Sequence, residues 1–131
     1  MKKIDVIAAI IKNNEEKFFI AKRKEGKSLA GKWEFPGGKV EENERDEDCL
    51  VREIKEEFNV TIKCLKYLTN SEYDYEKFTI NLKAYLASFI SGSFSLTDHD
   101  EVKWIDIRTY KNYDFAPADI PIIKYLIQNE I

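Results

Sequence analysis

At 131 residues, with 44% hydrophobic and 13% aromatic content, the chain has the size and composition of one globular domain spanning 1–131, with no repeat or low-complexity linker. A net charge of −3 argues against a nucleic-acid polymer as partner, and no apolar run approaches the ~20 residues needed to span a bilayer. Cys49 and Cys64, with no CxxC and a single histidine, read as free thiols in a reducing cytoplasm.

Residues 3–12 are β-branched and apolar and predict a buried strand. Asp5 interrupts this run and Lys12 ends it, so the start does not read as a signal segment. Asn13 and Asn14 predict a turn, and Lys17 to Lys24 a second strand, so the pair reads as a hairpin. Glu25 to Lys32 is a polar loop. Trp33 to Lys39 (WEFPGGK) follows, and the two glycines after Pro36 predict a turn with its backbone open to a ligand.

Glu44 to Phe58 predicts a helix, with Leu50, Val51, Ile54 and Phe58 on its apolar side. Glu53, Glu56 and Glu57 stand at i, i+3 and i+4 and share one side. Like charges at that spacing cost roughly 0.2–0.5 kcal/mol per pair, and a divalent cation would offset the repulsion. An all-oxygen ligand set suits Mg2+, with Mn2+ as a substitute, and not zinc.

Residues 61–69 and 78–90 alternate as two longer strands joined by the polar stretch 70–77. Ser91, Gly92 and Ser93 predict a turn, and 94–97 a short strand. His99, in the polar run Asp98-His99-Asp100-Glu101, reads as solvated. Glu101 opens a further strand, EVKWIDI, and Arg108 to Tyr113 is a polar connection. The run Phe115 to Pro121 opens the last helix, with Asp119 as a good N-cap residue and Pro121 in the first turn. Ile122, Ile123, Tyr125, Leu126 and Ile127 give that helix a wide apolar side.

The stretch from Gly37 to Val60 resembles the Nudix box. Gly38, Glu44, Arg52, Glu53, Ile54, Glu56, Glu57 and Val60 match the family pattern at its spacings. The one departure is Asn59 where the family has Gly; Asn tolerates the left-handed conformation that closes a helix, so Asn59 is expected to adopt it.

The resemblance covers nearly the whole chain and implies a mixed α/β fold, the Nudix α/β/α sandwich with a mixed, curved sheet between helices. It implies that Glu53, Glu56 and Glu57 bind Mg2+, that the Gly38 carbonyl adds a ligand, and that Glu101 reaches the metal from the opposite side as ligand or base. It implies that Arg52 orients box carboxylates through Glu44 or Glu53 while pointing away from the metal ligands. By the same resemblance Arg23 and Lys39 contact phosphates and Asp119 reads the base. The expected activity is MutT-like: hydrolysis of a nucleoside triphosphate such as 8-oxo-dGTP to a monophosphate and pyrophosphate, serving DNA repair. The rival is a pyrophosphatase for CTP or a modified cytidine triphosphate; a further alternative is a catalytically silent nucleotide sensor. The partner is a small nucleotide, with no membrane and no nucleic-acid polymer, and the protein is expected to be a monomer or homodimer.

Overall fold

The computed structural model describes residues 2–26, 28–96 and 99–131. Its strands are β1 (Lys2–Ile11), β2 (Phe18–Arg23), β3 (Trp33–Glu34), β4 (Gly37–Lys39), β5 (Val60–Asp74), β6 (Phe78–Gly92) and β7 (His99–Ile105). Two helices, α1 (Asp46–Phe58) and α2 (Asp119–Gln128), complete the fold with a 3-10 helix over Ile107–Asn112. No helix among the described residues is long and apolar enough to cross a membrane.

The architecture is mixed α and β, as expected, but built on two sheets. A four-stranded sheet runs β4-β1-β6-β5 and a three-stranded sheet runs β3-β2-β7. The first is mixed, because β1 lies parallel to β6 and antiparallel to β4. The second is wholly antiparallel.

The expected hairpin of β1 and β2 does not form. The Asn13 turn is present, with the Asn13 amide donating to the Lys17 carbonyl and its side chain accepting from the Glu15 and Lys17 amides. Beyond a single bridge between Lys12 and Phe18, however, each strand enters a different sheet. Both strands are buried on two faces, so each needs layers on both sides.

Period-two alternation decides which residue meets which layer. Ala8 and Ile10 of β1, with Phe18 and Ile20 of β2, join Ile122, Ile123 and Leu126 of α2 in one core. Ile7, Ala9 and Ile11, with Phe19 and Ala21, join Leu50, Ile54 and Phe58 of α1 in another. Each large apolar side chain fully buried this way contributes about 1.5–3 kcal/mol.

Helix α1 starts two residues later than the sequence predicts, so Glu44 lies in the preceding loop. Acidic Asp46, Glu47 and Asp48 fill its first turn, where the helix dipole favours negative charge. Asn59 closes it at φ 58°, ψ 35°, its N–H donating to the Lys55 carbonyl. The left-handed expectation for Asn59 therefore holds.

β5 and β6 run 15 residues each, so Asn70 to Asp74 of the expected connection is strand. No strand forms over 94–96; Thr97 and Asp98 lie outside the described residues. The polar connection after β7 is taken up by the 3-10 helix, with the Asp106 carboxylate accepting from the Arg108 amide at its start.

Candidate active site

Gly37 and Gly38 do not make the expected turn. They form β4, paired antiparallel with Ala8 and Ile7 of β1. Their lack of a side chain serves close approach instead. A methyl group at Gly37 would overlap the Ile7 carbonyl, and one at Gly38 would overlap the Glu53 carboxyl. The Gly38 backbone thus sits directly against a carboxylate of α1.

That carboxylate belongs to a network centred on Arg52. The Arg52 guanidinium donates to both oxygens of Glu44, at 2.7 and 3.0 Å, to Glu53 Oε1 at 2.9 Å and to Glu56 Oε2 at 3.2 Å. The two-point contact with Glu44 is the strong, planar form of the arginine–carboxylate pair. It pulls the Glu44 carboxyl down to about 2 and the Arg52 guanidinium still further up. The nearby Cys49 thiol is pushed up to about 12, first by burial and then by the Glu44 charge.

Arg52 thus pairs with Glu44 and Glu53, as expected, but it does not point away from the helix glutamates: it ties down Glu53 and Glu56. Glu56 remains largely exposed, and Glu57 is buried. Among the described residues, no three His, Cys, Asp or Glu side chains are arranged as a ready-made metal centre.

A cleft of about 750 Å³ opens beside this network. Gly38, Lys39, Glu53 and Glu57 line it on the box side, and Arg23, Glu34 and Asp119 also face it. Ile4, Val6, Ile80 and Leu82, from β1 and β6, supply an apolar wall. Of the residues singled out in the sequence, five side chains (Arg23, Lys39, Glu53, Glu57 and Asp119) and Gly38 share this space. Arg52, Glu56 and Glu101 are not among its lining residues. Glu101 is exposed on β7 and pairs with Lys103 at 3.7 Å.

Glu34 is the acid that sequence reasoning passed over. It is held by Arg23 Nη1 at 3.2 Å and by His99 Nε2 at 2.8 Å, both on Oε2. His99 is correspondingly not solvated: its side chain is 0% exposed and its ring stacks on Phe58. A signal was present in the sequence. Glu34 lies between Trp33 and Phe35, and an acid within an aromatic run is costly to bury without partners.

Asp119 is buried and does not cap α2. Ala118 occupies the cap position, and Asp119 is the first helical residue. Its Oδ1 accepts instead from the Phe35 amide at 2.9 Å, which ties α2 to the segment leaving β3. Burial, and next the charge of Glu34, push its carboxyl well above the ordinary 3.8. The base-facing expectation assumed a permanently ionised acceptor; this environment favours the protonated form, which also donates.

Comparison with known proteins shows the family of the chain. A family model described as NUDIX domain matches residues 7–125. The chain is 34% identical over 124 residues to a CTP pyrophosphohydrolase of Escherichia coli K12, covering 95% of this chain and 91% of that one. It is 32% identical over 126 residues to an 8-oxo-dGTP diphosphatase of the same organism, covering 96% and 98%. Among solved structures, the E. coli ORF135 protein superposes with a TM-score of 0.87 at 33% identity, covering 99% of this chain and 92% of that one. MutT from methicillin-resistant Staphylococcus aureus 252 gives 0.77 at 35%, covering 98% and 99%.

Proposed function

The chain belongs to the NUDIX domain family and is a Nudix hydrolase, and on that premise we propose that it is a Mg2+-dependent nucleoside triphosphate pyrophosphohydrolase. Water adds to a phosphorus of the triphosphate, one phosphoanhydride P–O bond breaks, and a nucleoside monophosphate and pyrophosphate leave. The observation that carries the reading is one cleft lined both by box carboxylates and by groups suited to a nucleoside.

The donor set fits a hard cation. Glu53 and Glu57 face the cleft, and Gly38 packs against the Glu53 carboxyl. These would hold the metal, joined by Glu56 when Arg52 releases it. When bound, Mg2+, or Mn2+ in its place, neutralises phosphate charge and lowers the pKa of water. Arg52 positions Glu53 through its hydrogen bond. Lys39 and Arg23 bring positive charge for phosphates, and the apolar wall takes the base. Glu53 or Glu57 takes the proton from water; Glu101, outside the cleft lining, is assigned no step.

The leading substrate is an oxidised purine triphosphate such as 8-oxo-dGTP, which makes the role cytoplasmic sanitation of nucleotides ahead of DNA synthesis. One observation favours a cytidine triphosphate instead. The Phe35 amide already takes one lone pair of Asp119 Oδ1, which leaves Oδ2 the less committed oxygen and suits the single N4 amine of cytosine better than a guanine edge with two donors. Pyrophosphate release across canonical and oxidised triphosphates, with Mg2+, Mn2+ or chelator, tests the whole reading. Metal-dependent release fastest on 8-oxo-dGTP is expected; fastest release on CTP selects the rival. No release on any triphosphate, with binding retained, would mean a silent sensor.

A further inference from the structure

The chain has one histidine, and its position joins two parts of the molecule. His99 opens β7 opposite Arg23, where the register shifts between Lys22 and Arg23. One face of its ring lies on Phe58, the last residue of α1, with centroids 5.0 Å apart and planes at 22°. At its edge, Nε2 lies 2.8 Å from Glu34 Oε2. The imidazole thus connects the end of the box helix to a carboxylate of the cleft.

The hydrogen bond sets the ring's proton. An ionised carboxylate only accepts, so Nε2 carries the hydrogen. In the neutral ring Nδ1 is then the bare nitrogen; it is buried and has no hydrogen-bond partner among the described residues.

The same bond sets the carboxylate. The terminal torsion of a glutamate is broad, and a lone arginine contact at 3.2 Å leaves it room to turn. With no other donor, the Arg23 fork could also close on both oxygens. Here Arg23 is drawn aside by a 2.8 Å bond from Nε to the Ser28 carbonyl, and His99 shares Oε2. Glu34 lines the cleft, and with both contacts on Oε2 its Oε1 has no hydrogen bond from any described residue and is the oxygen left to accept. An anionic acceptor repels phosphates, so its complement is a hydrogen-bond donor on the nucleoside.

We propose that His99 is a positioning residue for substrate recognition: it fixes Glu34 so that Oε1 accepts from a donor group of the bound nucleoside. This rests on the nucleotide reading above, and its test separates the two. In tag-free protein the lone imidazole gives an unambiguous 1H–15N spectrum. A single tautomer with Nε2–H and a bare Nδ1 is expected, with the Nε2 resonance displaced by Glu34→Gln. An imidazole averaging between tautomers overturns the pairing whatever the activity.

Kinetics tests the recognition. His99→Phe keeps a ring on Phe58 and removes the donor. KM for the best triphosphate should rise roughly tenfold with kcat within about threefold, the pattern of lost uniform binding. His99→Gln, with an amide near the Nε2 position, should recover most of that loss. In a Glu34→Gln background, His99→Phe should add less than about twofold, because the partner is already gone. A fall in kcat at unchanged KM, or equal effects in both backgrounds, would show a packing residue and overturn the proposal. If wild-type protein turns over no triphosphate, the recognition role falls with the nucleotide reading, and the spectrum still decides whether His99 holds Glu34.

Discussion

The two charged clusters beside the cleft are built from the same residue types and behave in opposite ways. Around Arg52, the carboxylate of Glu44 is pulled down to about 2 by a two-point hydrogen bond to the guanidinium. Around Glu34, the carboxylate of Asp119 is pushed up by burial and by its acidic neighbour. The first cluster has one strong cation shared by several acids at the protein surface. The second has a buried acid, Asp119, beside a half-buried one, Glu34, and its cation, Arg23, hydrogen-bonds only Glu34 among the described residues. Partnering dominates in one and desolvation in the other. The contrast is one of environment: a shared guanidinium favours the charged form of Glu44, and burial disfavours the charged form of Asp119.

The comparison breaks most visibly at the box. Glu56→Gln and Glu57→Gln should each keep the fold and remove several kcal/mol of transition-state stabilisation. That corresponds to a loss in kcat of roughly a hundredfold or more. Circular dichroism and steady-state turnover check it; near-wild-type turnover in both variants would remove the metal-site assignment.

Asp119→Asn sharpens the other side. Asn keeps an oxygen for the Phe35 amide but cannot ionise, so selectivity should suffer more than folding. Efficiency on the best triphosphate should fall roughly tenfold, with smaller losses on poor substrates. Stability carries a sign. A carboxyl raised above its ordinary 3.8 stabilises the folded state below that value, and the contribution is lost as pH rises through the folded value. The Asn variant should therefore gain in melting temperature relative to wild type as pH rises above about 3.8. A difference that does not change with pH would show that Asp119 titrates normally.

Glu44→Gln gives the smallest effect and the opposite slope. The wild-type carboxylate stabilises the fold fully above its ordinary 4.5, and the contribution is lost as pH falls toward about 2. The variant should melt slightly lower near neutrality, and the gap should close through that acid window. An unchanged gap would show that Arg52 does not hold Glu44 in solution.

The same division explains what the sequence disclosed. Glu53, Glu56 and Glu57 are neighbours through helical spacing, and Asn59 ends the helix for reasons local to its own backbone, so both were legible. The Glu34 cluster joins β2, β3, β7 and α2, and no local spacing encodes it. His99 looked solvated because its sequence neighbours are polar; its actual neighbours are Phe58 and Glu34, 41 and 65 positions away. Asp119 looked like a cap because caps are local, whereas its acceptor role depends on Phe35, 84 positions away. The hairpin misread has the same origin. A turn at Asn13 specifies a reversal, and only the two buried faces of β1 and β2 specify that they part into separate sheets.

Cys49 turns the box into its own reporter. Thiol reagents attack the thiolate, and a thiol pushed up to about 12 and fully buried offers almost none at neutral pH. Cys64 is half-buried and the only other cysteine, so it marks the accessible background. Alkylation of Cys49 then counts the moments when α1 lifts and Arg52 lets go of its acids. A ligand that holds those acids in place would slow that clock without itself touching sulfur.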